Sequence, residues 1–249
     1  MKKEKIASYF FENCKNIKTF IMPPNITSIG VGAFKNCISL KQIVLSPLIT
    51  SIDDYVFENC KFDEFSIPYT ITSIGNFAFC GCRVSIKRIP ICIKSIGNNA
   101  FERCSINEIV LPSSLTTIAV STFYNCPLKK VTIPSSVTSI QRSAFGCSDI
   151  EDISIPSTVT FIGNAVFYEC TSLKHVSLPD SLTTIENCLF LSCSKLNDIT
   201  IPSSVKSIGE KAFSGCTSLV KITIPTSLIT IANNAFENCS ALNEVALLS

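Results

Sequence analysis

Fourteen cysteines and one histidine are the residues of this 249-residue chain best suited to carry chemistry. Thiolates ligate metals, attack carbonyls and form disulfides, and imidazole is the usual base beside them. The spacing favours none of these uses. Paired Cys-x-x-Cys halves, the zinc arrangement, are missing, and Cys80-Gly-Cys82 stands without a second half. His175 occupies a variable site that elsewhere holds Glu64, Glu108, Lys130, Asp152, Asp198, Lys221 or Glu244, so it reads as a solvated residue rather than a base. The chain has no Gly-x-Ser-x-Gly elbow to offer a serine nucleophile. Neither Gly-x-x-x-x-Gly-Lys-Ser/Thr nor Gly-x-Gly-x-x-Gly is present to cradle a phosphate. Carboxylates are frequent but have no evident pocket to shift their pKa. The expectation is a non-enzymatic chain without cofactor or metal.

The cysteines keep step with something larger. Phe recurs at 11, 34, 57, 79, 101, 123, 145, 167, 190, 213 and 236, always 22 or 23 residues apart. A Cys follows each Phe, three residues on in ten copies and two on at Cys147. A fixed period in this range is the signature of a solenoid. The chain is therefore expected to be one repeat domain over residues 1–249, with no linker or low-complexity segment interrupting it.

The unit is clearest from Leu196 to Ser218. Ile199 and Ile201 alternate with Thr200, the period of a strand with one buried face. Pro202 lacks an N–H and closes that strand. Val205 and Ile208 supply a second inward pair on a short extended piece, and Ala212 to Cys216 is read as a single helical turn. Gly209 looks like a turn residue, but Asp53, Gln141 and Glu186 replace it elsewhere, so a positive φ is not expected there. The fold class that follows is an α/β-type repeat solenoid, strand-dominated, with about eleven units.

One unit cannot fold alone. Roughly six apolar side chains, worth about 1.5–3 kcal/mol each on burial, face a backbone ordering cost of about 1–2 kcal/mol per residue. Each unit must share its core with the next, Phe over Phe and Cys over Cys. That shared core accounts for an apolar fraction of 46% without a membrane. The sequence holds no run of about 20 apolar residues.

The pattern Leu-x-x-Ile-x-Ile-Pro-x-x-Val-Thr-Ser-Ile-Gly-x-x-Ala-Phe-x-x-Cys resembles the BspA-like leucine-rich repeat family, also called the Treponema pallidum type. The resemblance covers essentially the whole chain. It implies a leucine-rich-repeat fold and a protein-binding role. It also implies exposure on the surface of an anaerobic bacterium or parasitic protist and adhesion to host-cell or matrix proteins. The start, Met1 to Ile6, is charged and no apolar signal region is evident after it, which points to the cytoplasm instead. The sequons Asn25-Ile-Thr27 and Asn238-Cys-Ser240 matter only in a secreted chain.

The repeats vary in informative ways. From Cys60 to Cys126 one residue, rather than two, separates the Cys from the next apolar position, and this is expected to alter curvature locally. Ile6 places the start in mid-repeat, with Lys2, Lys3, Glu4 and Lys5 blunting the first layer. No such charge protects Val245 to Ser249, so self-association through uncapped ends is the alternative reading. Eleven cysteines form a ladder of free packing thiols. Cys80, Cys92 and Cys188 fall outside it and are the expected reactive ones. So much free thiol suits a reducing setting. Aligned on Pro90, Lys87 falls where other repeats hold Ile153 or Val176, so a local shift is expected to turn Ile86 inward and Lys87 to solvent.

Two surface rows remain. Before successive strands, Lys129-Lys130, Glu151-Asp152, Lys174-His175, Asn197-Asp198, Val220-Lys221 and Asn243-Glu244 alternate in sign, which penalises a slipped register. Within the strands, the outward residues are Ile21, Val44, Ser66, Arg88, Val110, Thr132, Ser154, Ser177, Thr200, Thr223 and Ala246. The first six form the expected protein-binding face, because Ile21, Val44 and Val110 are apolar where water favours polar groups and Arg88 lies between them. The nearly balanced charge, 21 basic against 19 acidic residues, disfavours nucleic acid as a partner.

Overall fold

The computed structural model describes residues 4–84 and 86–248. Lys2 and Lys3, read above as part of the first-layer cap, lie outside the described residues. The repeats wind into a strand-dominated parallel solenoid of about eleven turns, with twenty short strands among the described residues. Most turns give a short piece to each of two strand rows. The first row runs from Thr19–Ile21 and Gln42–Val44 through Glu108–Val110 to Lys221–Pro225 and Glu244–Leu248. The second runs from Glu4–Ile6 and Ile26–Ile29 through Ser95–Ile96 to Thr230–Ile231. Pairing is parallel and joins equivalent residues, as in Ile140↔Ile162 and Ile199↔Ile222. Between the rows the chain turns at Pro-x-x-Val, where the Val137 N–H donates to the Pro134 carbonyl at 3.0 Å.

The third side of each turn corrects the expected helix. No helix occurs among the described residues, so the α/β-type label and its helical turns are replaced by an all-strand-and-turn unit. Two residues of every repeat have positive φ, one two places before the Phe and one two places after it. Tyr55 (φ 61°) and Asn59 (φ 60°) flank Phe57 in this way. A right-handed helix cannot pass through such points. The alternation instead divides the N–H groups between two kinds of partner. Gly32, Phe34 and Asn36 donate to the next turn at Asp54, Val56 and Glu58, at 2.8–3.0 Å. Ala33, Lys35 and Cys37 donate within their own turn at 3.0–3.1 Å. Not every turn completes the second set: the N–H groups of Val56, Ala78, Ala100 and Val166, equivalent to Ala33, make no backbone hydrogen bond. Asn is frequent at the second site, and there Asn36 and Asn59 each donate a side-chain N–H to the Asn one turn back, at 3.1 and 2.8 Å.

The core is continuous along the stack. Phenylalanine rings from Phe11 to Phe236 follow one another at 5.1–6.0 Å. The cysteines beside them do more than fill space. In nine repeats the Sγ–H donates to the carbonyl of the Phe one turn back, at 2.8–3.2 Å. Cys147 does not belong to this ladder, contrary to expectation. Ser148 takes the buried place and meets Cys170 Sγ at 3.3 Å, while Cys147 is moved out to the left-handed site at φ 56°. The repeat is one residue short before that Cys, so register assigns the place to the next residue.

Gly209 has no positive φ, as expected from its replacements, but a Cβ there would lie 2.6 Å from the Asn187 nitrogen. Its role is close approach of successive turns. At Lys87 the expected shift is found: Ile86 and Ile89 are buried, three residues apart instead of two, and Lys87 and Arg88 are exposed.

Candidate functional site

The outward row of the first sheet presents side chains in straight file because each strand is a translated copy of the last. Ile21 pairs with Val44, and Arg88 bridges Val110, which pairs with Thr132. Ile21 is 72% exposed, Val44 55% and Val110 47%; Ser66, Arg88 and Thr132 are exposed as well. Toward the C-terminal end the same row turns to Ser154, Ser177 and Thr200.

The row is not a single ladder. Residues 64–66 form no strand, and 86–88 contribute only the bridge at Arg88. The strand Gln42–Val44 is therefore hydrogen-bonded along one edge alone, to Thr19–Ile21. The third repeat carries two rings, Phe62 and Phe65, whose centroids lie 5.0 Å apart and 5.4 and 5.8 Å from Phe57. Other repeats hold an aliphatic group in at least one of these places. The gap opens as a cleft of about 640 Å³ based on Ile43, Phe65 and Ile86 and rimmed by Asp63, Glu64, Lys87 and Arg88.

One group at this end escaped the sequence reading. Leu48, Tyr69 and Ile91 occupy the tips of the corner turns beside the row and are 48%, 74% and 60% exposed. The corresponding tips further on are Ser113, Ser135, Ser157 and Asp180. The signal was present in the two residues after Pro, a hydroxylic pair in five repeats.

The charged row behaves as a register device. Lys41 meets Asp63 at 3.2 Å, Lys174 meets Glu151 at 2.7 Å, His175 Nδ1 meets Asp198 at 3.3 Å and Lys221 meets Glu244 at 2.5 Å. Each pair joins neighbouring turns. The Lys174 ammonium holds the Glu151 carboxyl below its usual range. His175 is thus an exposed member of this file, in hydrogen-bond contact with Asp198.

The thiols divide differently from the sequence expectation. Cys80 is buried, and desolvation, then Glu102 and Glu58, pushes its thiol up to about 12, which argues against the expected reactivity. Cys92 is half-buried and donates to the Ile71 carbonyl at 3.2 Å, at a tip where other turns use Ser or Thr hydroxyls. Cys188 is half-buried with its thiol raised by desolvation. Cys147 is also half-buried, 3.6 Å from Glu169 Oε2 and beside the Tyr124 hydroxyl; desolvation raises its thiol.

Comparison with known proteins places this geometry. The family pattern of the BspA type leucine rich repeat region matches residues 4–92, 72–197 and 160–249. A leucine-rich cell surface protein from Faecalibacterium prausnitzii is 25% identical, with a TM-score of 0.60 over 98% of this chain and 83% of that one. A leucine-rich repeat protein from Bacteroides ovatus is 26% identical, with a TM-score of 0.60 over 97% and 81%. One from Eubacterium ventriosum shares the fold at 24% identity, TM-score 0.66, over 96% and 81%. No curated protein matches the chain. Among the described residues, no helix is long and apolar enough to cross a membrane.

Proposed function

The chain belongs to the BspA type leucine-rich repeat family, and we propose that it is a non-enzymatic scaffold that binds another protein through the first strand row. The observation that carries this reading is the exposed apolar file Ile21, Val44 and Val110 with Arg88 in line. Rigid, pre-ordered surfaces lose little entropy on binding, and apolar strips with an Arg supply contact energy. The F. prausnitzii relative is a cell surface protein. By that likeness we place this chain at a cell surface too, with a host-cell or matrix protein as partner and the whole solenoid acting as one domain.

The test is affinity capture by the full chain from matrix and cell extracts, run beside two double variants whose folding is checked by circular dichroism. A partner retained by the native chain and by Ser154→Asp/Thr200→Glu, but lost by Val44→Asp/Arg88→Glu, supports this face. Loss only in the Ser154/Thr200 variant places the face at the other end. A measured turnover of substrate by the purified chain would overturn the scaffold reading itself.

A further inference from the structure

We infer that the cleft over the third and fourth repeats is the anchor point of the binding face, and that it takes an extended segment of a protein partner in which an apolar side chain adjoins Asp or Glu. This rests on the scaffold reading and adds the location and chemistry of the contact.

Three observations converge. The two sheet segments that are not regular strands, 64–66 and 86–88, lie side by side, and the space between them has an apolar base of Ile43, Phe65 and Ile86. A depression of about 640 Å³ admits a large side chain, and a second of about 540 Å³ over Glu108, Val110 and Lys130 adjoins it on the regular strands. The apolar corner tips Tyr69 and Ile91 belong to these same two turns, so the exposed apolar surface widens there in a second direction. A patch of this kind on a solenoid marks a contact site rather than scattered exposure.

Charge selects the occupant. Asp63 on the rim is neutralised by Lys41. Among the described residues, Lys87 and Arg88 have no carboxylate within 4.0 Å. Two cations facing one remaining rim carboxylate, Glu64, leave the cleft positive. An Arg guanidinium on an apolar floor pairs best with a carboxylate, which it binds through two parallel N–H bonds. An aromatic or branched side chain in the cleft brings its neighbouring carboxylate to that rim. The near balance of 21 basic and 19 acidic residues over the chain disfavours nucleic acid as the source of that anion.

The experiment pans a phage-displayed library of random dodecapeptides on the full chain and measures fluorescein-labelled versions of enriched sequences by anisotropy. Enriched peptides are expected to carry Asp or Glu beside Phe, Trp, Leu or Ile. Changing that Asp to Asn, or Glu to Gln, in the peptide is expected to weaken binding by at least about tenfold. Arg88→Glu is expected to do the same, Tyr69→Ser to weaken it by about fivefold or more, and Ser154→Asp/Thr200→Glu to leave it unchanged. Enrichment of basic sequences without carboxylates overturns the inference. So does affinity indifferent to both Arg88→Glu and Tyr69→Ser, or no enrichment at all. If a partner is still captured by the native chain in these cases, the scaffold reading stands and only the cleft is lost.

Discussion

The Sγ–H of Cys60 donates to the carbonyl oxygen of Phe34, one turn back, at 3.2 Å. The same oxygen accepts the Cys37 N–H at 3.1 Å. Both lone pairs of a buried carbonyl are thereby satisfied, one from its own turn and one from the next. The recurrent Cys is therefore a donor as well as a small apolar filler, which explains why Ala does not serve in its place.

Removing that donor has a defined cost. Cys60→Ala leaves the Phe34 carbonyl with one partner and opens a small cavity. It is expected to lower unfolding stability by about 1–3 kcal/mol. Urea denaturation measures this, and a change below about 0.5 kcal/mol would mean that packing alone holds the position.

Alkaline pH should act on the same ladder. Burial holds the Cys60, Cys82, Cys104 and Cys193 thiols well above their ordinary value. The folded chain keeps these protons while the unfolded chain releases them, so stability is complete below the ordinary thiol pKa and falls as pH rises past it. Each such thiol contributes a slope of roughly 1.4 kcal/mol per pH unit above about pH 8.5. The urea midpoint is expected to drop steeply from pH 8.5 to 10.5. A flat profile would contradict the buried, protonated ladder.

Thiol labelling should follow exposure rather than membership of the repeat pattern. With limiting iodoacetamide at neutral pH, mass spectrometry is expected to find label first at the half-buried Cys14, Cys92, Cys147, Cys188 and Cys239. Cys80 is expected to stay unlabelled with the buried ladder. After denaturation without reductant all fourteen should react. Early label on Cys80 would show that its turn opens.

The irregular repeat offers a repair. Cys147 sits at φ 56°, where seven of the other ten turns place Asn or Gly, and Ser148 fills the ladder. Cys147→Asn relieves a residue poorly suited to the left-handed region, and Ser148→Cys restores the donor to the Phe123 carbonyl. The double variant is expected to gain about 0.5–2 kcal/mol. A fall in the thermal midpoint would show that Cys147, with Tyr124 and Glu169, stabilises its surroundings.

Spacing by itself determined the solenoid, the turn count and the core. A 22–23-residue period repeats Phe, Ile and Cys together, and no single unit buries enough surface to stand alone. The exchange of Ile86 for Lys87 was legible for the same reason, since an unpaired ammonium has no stable place in that core. Backbone handedness was not legible. Tyr, Asn, Arg, Glu and Cys all occupy the left-handed sites, so residue type hardly marks them; the N–H groups must find partners in the next turn, and that need sets φ. The displacement of Cys147 by Ser148 was hidden likewise, because register outranks side-chain preference. The binding row could be named from alternation, but not its cleft. That lies where strand pairing lapses, at 64–66 and 86–88, and pairing between successive turns is a contact in three dimensions that only the stacked structure decides.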